Sequence, residues 1–228
     1  MYELYIGNKN YSSWSLRPWL LMRALAIPFT EHLVPFDPGT SWARFRAFSP
    51  SGKVPCLVDG DTVVWDSMAI AEYLAERHAG TWPADNTARA WARCAAAEMH
   101  SGFGALRQGC SMNCGLRVRL DSITPALRRD LDRIDELWTE GQRRFGGPFL
   151  AGQSFTAVDA FYAPVAFRVR TYGLPLSGAA AAYAGELLAL APMRQWDDEA
   201  LAEPWRDAEH EVEAMQGATL VQDLRERQ

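Results

Sequence analysis

Two adjacent serines, Ser12 and Ser13, carry the first chemistry legible in this chain. In Tyr11-Ser12-Ser13-Trp14-Ser15-Leu16-Arg17 they stand between a short alternating stretch ending at Gly7 and apolar residues at helical spacing. A serine in that place caps the helix, its oxygen accepting from a backbone N–H. The place also suits an anion, because free N–H groups and the positive end of the helix dipole meet there. Serine is too weak an acid to serve as a base. It can instead hold a thiolate by donating to it. Each unit of thiol pKa lowered takes about 1.4 kcal/mol, and a charge-assisted hydrogen bond of about 1.5–3 kcal/mol plus the helix end would supply roughly one to three units. Asp66-Ser67 repeats the capping pattern ahead of another helix.

The four cysteines, Cys56, Cys94, Cys110 and Cys114, form no Cys-x-x-Cys pair. They are expected as reduced thiols. Cys110, Cys114 and His100 lack a fourth ligand, so no metal site is expected. Cys56 follows Pro55 directly and could take a redox role.

These groups need elements to position them. The pattern predicts strands over 2–7 and 29–36, the second bounded by Pro28 and Pro38-Gly39, with a helix from Ser15 to Ala26 between them. Pro18 falls in that helix's first turn, where no N–H is missed. A short helix over 42–48 follows, then strands over 54–58 and 62–65 joined by Asp59-Gly60-Asp61. A helix over 67–76 completes a βαβαββα unit.

Beyond Gly80-Thr81-Trp82-Pro83 the pattern is helical from Thr87 onward. Leu127, Leu131, Ile134 and Trp138 fall on one face. Further helices are expected over 156–172, 179–189 and 192–203. Thr156-Ala157-Val158-Asp159 reads as a structural capping box, with Phe155 as its staple. Ser111–Arg117 reads as a loop or pocket wall, and 216–228 as a polar, poorly packed tail. The division is therefore a domain over 1–79 and an all-helical one over 87–228.

Ser12-Ser13-Trp14-Ser15-Leu16-Arg17 resembles the Ser-Ser-Cys-x-x-Arg segment of zeta-class glutathione transferases, the maleylacetoacetate isomerases. Ser49-Pro50-Ser51-Gly52-Lys53-Val54-Pro55 resembles the Asn-Pro-x-Gly-x-Val-Pro signature of glutathione transferases, and Asp66-Ser67 their Glu/Gln-Ser pair. Two departures stand out: Trp14 replaces the family cysteine, and Asn8–Tyr11 differs from the usual lead-in. The resemblance implies an α+β fold, a thioredoxin-like domain followed by the family's all-helical domain. It implies Ser12, or Ser13, as the catalytic serine, with glutathione as cosubstrate. Val54 would bind its cysteinyl part through the backbone ahead of a cis Pro55, Lys53 would lie near its glycyl carboxylate, and Asp66 and Ser67 would hold its γ-glutamyl end. The zeta class places a carboxylate-anchoring arginine where Arg168 or Arg170 falls. Trp14 and Met112 would suit an apolar electrophile pocket.

The activity implied is conjugation or isomerisation of small electrophiles, of the detoxifying kind. Glutathione-dependent peroxide reduction is the enzymatic rival, and a binding module without catalysis the other. A homodimer is expected from the family. The net charge of −5 gives no pull toward nucleic acid or an anionic membrane. No apolar run approaches the roughly 18 residues of a membrane span. The first residues carry no basic leader, so a cytoplasmic protein is expected.

Overall fold

A computed structural model describes residues 1–37 and 39–225. Pro38, expected to close the second strand, and residues 226–228, the end of the expected tail, lie outside the described residues.

The first half is built on a four-stranded mixed sheet. Strands β1 (Tyr2–Ile6), β2 (Phe29–Leu33), β3 (Cys56–Asp59) and β4 (Thr62–Val64) lie in the order β2-β1-β3-β4. β1 and β2 run parallel, joined by helix α1 (Ser13–Ala24), while β3 and β4 pair antiparallel. The β3–β4 turn has Gly60 at φ +59°, a conformation that glycine adopts without Cβ strain. Helix α2 (Ser41–Arg46) precedes β3 and α3 (Ser67–Ala75) follows β4. α1 begins two residues earlier than the sequence pattern suggests, because Ser12 is its N-cap. The fold is that of a thioredoxin-like α/β domain with a helical half behind it.

The helical half comprises α4 (Asn86–Ser101), α5 (Gly104–Gly109), α6 (Pro125–Phe145), α7 (Ala157–Tyr172), α8 (Gly178–Ala189), α9 (Ala191–Ala202) and α10 (Ala208–Met215). α7 is the axle of the molecule. It is buried along nearly its whole length and packs on α1, α4 and α8. Leu127, Leu131, Ile134 and Trp138 of α6 are all in the core. None of the described helices is long and apolar enough to cross a membrane.

The start of α7 is held by Asp159. Its carboxylate accepts from the backbone N–H of Thr156 and of Leu150, both at 2.9 Å, and from the Tyr183 hydroxyl at 2.8 Å. Burial raises its pKa to about 6, while those donors act against the shift. Phe155 packs edge-on to Phe149 beside it.

One region departs from the all-helical expectation. Strand β5 (Leu116–Leu120) pairs antiparallel with β6 (Ala218–Asp223). The expected loop at Ser111–Arg117 thus leads into a strand, and the described part of the expected tail is its partner. Alternation in Leu116–Leu120 buries Leu116 and Val118. The alternation in Leu116–Leu120 is a local strand signal, but the identity of its partner, a hundred residues later, is not.

Candidate active site

The β1–α1 loop is clamped from the helical half. Lys9 is buried, its ammonium 2.6 Å from Glu31 and paired also with Glu199 of α9. The backbone N–H of Lys9 donates to Glu203 at 2.6 Å, and the Trp196 indole donates to the Lys9 carbonyl at 2.9 Å. The Asn10 side-chain amide donates to Asn113 at 3.1 Å, and its carbonyl accepts from Gly115 N–H. The Tyr11 hydroxyl donates to Glu211 at 2.6 Å and accepts from the Asp207 N–H and from Arg225. Its pKa is pushed up to about 12, chiefly by burial and then by the bond to Glu211. The loop that presents Ser12 and Ser13 therefore rests on groups from α9, α10 and the segments that flank β5 and β6.

The two serines differ in their surroundings. Ser12 Oγ donates to Ser15 Oγ at 2.8 Å and accepts from Ser15 N–H at 3.4 Å. Ser15 Oγ in turn accepts from Gly7 N–H. Ser13 opens α1, and its hydroxyl has no hydrogen-bond partner among the described residues. Both line a cavity of about 690 Å³ between the sheet unit and the helices, within the size range of small-molecule sites.

Around that cavity stand Trp14, Lys53, Val54, Met112 and Arg168, all expected at the site, together with Tyr11, Phe36, Trp42, Arg107 and His210. Val54 precedes a cis peptide to Pro55, and its N–H and carbonyl make no described hydrogen bond. Pro55, Asp66 and Ser67 lie outside the cavity lining. Ser67 Oγ is fully buried without a partner, an orphaned donor at the start of α3. Asp66 caps α3 by accepting from Met68 N–H at 2.9 Å, and its other oxygen lies 3.4 Å from His100 Nε2. His100 is edge-on to Trp14, and its pKa is lowered by burial first.

Arg170 is a correction to the expected pocket. It does not line the cavity but forms a two-pronged pair with Asp197 of α9, both contacts 2.6 Å. One position on a helix turns a side chain by 100°, which separates it from Arg168 two residues earlier. Cys56 is buried, its thiol donating toward the Phe48 carbonyl, and burial pushes its pKa up to about 11, against thiolate reactivity. Cys110 and Cys114 are buried as well, with their thiols raised by desolvation.

Sequence reasoning missed Arg17 and Arg107. Arg17, the arginine of the serine motif, is fully buried, stacked 4.2 Å from the Trp14 ring and 4.9 Å from Phe161. Arg107 stacks 4.6 Å from the same indole. Arg17 meets Trp14 one helical turn away on α1, whereas Arg107 carries no local mark, since its contact depends on Trp14 being brought against α5.

The sheet order, the helical half and a serine-bearing helix start beside a cis-proline strand have a counterpart among known proteins. A family model for the glutathione S-transferase N-terminal domain matches residues 11–77, and one for the C-terminal domain matches 118–207. The chain belongs to the glutathione S-transferase family.

Among individual proteins, it is 42% identical over 65 residues to the dichloromethane dehalogenase of Methylorubrum extorquens, covering 27% of this chain and 23% of that protein. It is 26% identical over 145 residues to the stringent starvation protein A homolog of Pasteurella multocida, 63% of this chain and 65% of that one. The chain spans less than two thirds of the length of either. A glutathione transferase homolog from Burkholderia, solved with bound glutathione, superposes with a TM-score of 0.64 at 20% identity, over 89% of this chain and 99% of that one. A homolog from Sulfitobacter, also with bound glutathione, gives 0.60 at 19% identity, over 87% and 98%. At these identities the likeness is one of fold.

Proposed function

We propose that this chain is a glutathione transferase that holds the thiol of glutathione as a thiolate on Ser13 and directs it at small electrophiles, by conjugation or isomerisation. The observation that carries the reading is the unpartnered Ser13 hydroxyl at the N-terminus of α1, on the wall of the same cavity as Val54. Ser12, bonded to Ser15, serves as the cap, and Ser13 as the donor to the thiolate. The free N–H and carbonyl of Val54 suit the peptide backbone of the cysteinyl part. The orphaned Ser67 hydroxyl, once turned outward, suits the γ-glutamyl carboxylate, with Asp66 beside it for the ammonium. Lys53 at the cavity rim suits the glycyl carboxylate.

Catalysis then rests on a thiolate formed at neutral pH and held against an electrophile in a cavity shared by both halves. A cytoplasmic homodimer of two domains, 1–79 and 87–228, is the assembly this reading takes from the motif resemblance, and size-exclusion chromatography with light scattering checks it. The central experiment is a pH titration of thiolate absorbance for bound glutathione. A bound pKa one or more units below the free value supports the reading. Binding with no shift leaves a glutathione-binding module, and no binding removes the reading.

A further inference from the structure

Ser13 offers a donor to the thiolate, but neither serine can receive the thiol proton. On the same cavity wall stands an imidazole whose surroundings fit that task. His210 of α10 lines the cavity together with Tyr11, Ser12, Ser13, Phe36 and Val54.

Its ring is fixed by three contacts. It stacks on Phe36 with centroids 5.0 Å apart and planes 16° from parallel, and on Tyr11 at 5.2 Å and 28°. Its Nδ1 lies 2.8 Å from Asp207 Oδ1, and the same oxygen accepts from the His210 backbone N–H at 3.1 Å as the N-cap of α10. Burial opposes ionisation of Asp207, but the bonds from His210 outweigh it and hold its pKa below the usual carboxylate value. An ionised carboxylate only accepts, so Nδ1 carries the proton and the neutral ring keeps its lone pair on Nε2. Nε2 has no hydrogen-bond partner among the described residues.

The two aromatic contacts set the imidazole against the candidate glutathione site. A Cβ placed on Gly7 would meet Phe36 Cζ at 2.7 Å and Val54 Cγ2 at 3.2 Å, so the Phe36 ring and the Val54 side chain converge there. Through Phe36 the imidazole adjoins Val54, and through Tyr11 it adjoins the segment that carries both serines. Asp207 N–H also donates to the Tyr11 hydroxyl at 3.2 Å, which bonds the Asp207–His210 dyad to the serine loop.

Charges around His210 favour a proton on it. Asp207, Glu209 and Glu213 from α10 and its cap, and Asp37 ahead of α2, line the same cavity. Beyond Tyr11, Glu211 is shared by Arg206 at 3.8 Å and Arg225 at 3.7 Å. The cations on the cavity wall, Lys53, Arg107 and Arg168, come from other elements. An imidazolium among carboxylates is stabilised, and it in turn stabilises a thiolate in front of it.

We propose that His210, oriented by Asp207, is the base that takes the proton of the glutathione thiol and holds it as an imidazolium beside the thiolate. The sulfur–hydrogen bond breaks, its electron pair stays on sulfur, and the proton bonds Nε2, directly or through one water. Once the thiolate has reacted, the imidazolium releases the proton to water. Asp207 is a positioning residue that fixes the tautomer and stabilises the charge that forms. This deepens the transferase reading and rests on it.

The test counts protons as glutathione binds to the whole chain in weakly buffered solution near neutral pH. In the wild type the thiolate absorbance should appear with fewer than about half a proton released per thiolate, because the pair retains it. In His210→Gln each thiolate formed should release about one proton, and turnover of chlorodinitrobenzene should fall about a hundredfold, recovering as pH rises. Asp207→Asn keeps an N-cap and should release more than the wild type.

A second readout uses the wild type alone, by nuclear magnetic resonance of labelled histidine side chains. His210, identified among the four histidines by its contacts with the Tyr11 and Phe36 rings, should turn from imidazole to imidazolium on binding glutathione. With S-methylglutathione, which has no thiol proton, it should stay neutral. Thiolate formed with a full proton released by the wild type, or a His210 that stays neutral, overturns the base and leaves the transferase reading standing. A glutathione complex without thiolate overturns both.

Discussion

Ser12 Oγ donates to Ser15 Oγ at 2.8 Å, and that bond commits the proton of the serine that the motif marks first. Its neighbour Ser13, on the cavity wall, has a hydroxyl without a hydrogen-bond partner among the described residues. On the proposed reading, two serines of identical chemistry are divided between a structural and a chemical task by where a helix begins.

The division predicts different outcomes for two substitutions. Ser13→Ala should raise the pKa of bound glutathione by about one to two units, the loss of one charge-assisted bond. Ser12→Ala should leave that pKa within about half a unit and cost about 1 kcal/mol of stability as a lost N-cap. Thiolate absorbance against pH and urea denaturation read the two effects. The reverse pattern would hand the thiolate to Ser12.

Ser67 gives a second prediction. If its orphaned hydroxyl meets the γ-glutamyl carboxylate, Ser67→Ala should weaken glutathione binding about tenfold, the loss of a bond to a charged group. Stability should hold or rise slightly, because an unsatisfied buried donor is removed. Calorimetric titration with glutathione decides it, and unchanged affinity would exclude Ser67 from the site.

At the start of α7 the prediction concerns pH. Burial raises Asp159 from 3.8 to about 6 in the folded chain. Between those values the folded state holds the proton that the unfolded state has released, so stability falls as pH rises from about 4 to about 6. Asp159→Asn should flatten that slope. Asp159→Ala should cost about 3 kcal/mol or more, since it strands the donors of Thr156, Leu150 and Tyr183. Urea denaturation across that pH range is the measurement.

Tyr11 ties the serine loop to the C-terminal segment through Glu211, Asp207 and Arg225. Tyr11→Phe should lower stability by about 1–2 kcal/mol. It should also speed amide hydrogen exchange across Ala208–Met215, the helix it pins. Exchange rates equal to those of the wild type would show that the strap is held by its other contacts.

Much of this was legible in the residues themselves. The βαβαββα order, the hairpin at Gly60 and the capping box at Thr156–Asp159 follow from local patterns whose physics operates within a few residues. The choice of Ser12, Ser13, Val54 and Ser67 as candidates came from the motif resemblance, laid over helix starts and an X-Pro pair that the sequence displays. What only the tertiary structure decided was which groups meet. Ser13 is free because Ser12 turns to Ser15, and Arg170 leaves the pocket because Asp197 on α9 is within reach. β6 is ordered because β5, a hundred residues earlier, offers it an edge. Arg107 reaches the Trp14 ring, and Arg168 the same cavity wall, only after α1, α5 and α7 pack together. Local propensity acts over a few residues of chain, whereas charge and packing act over ångströms of space, and only folding converts one distance into the other.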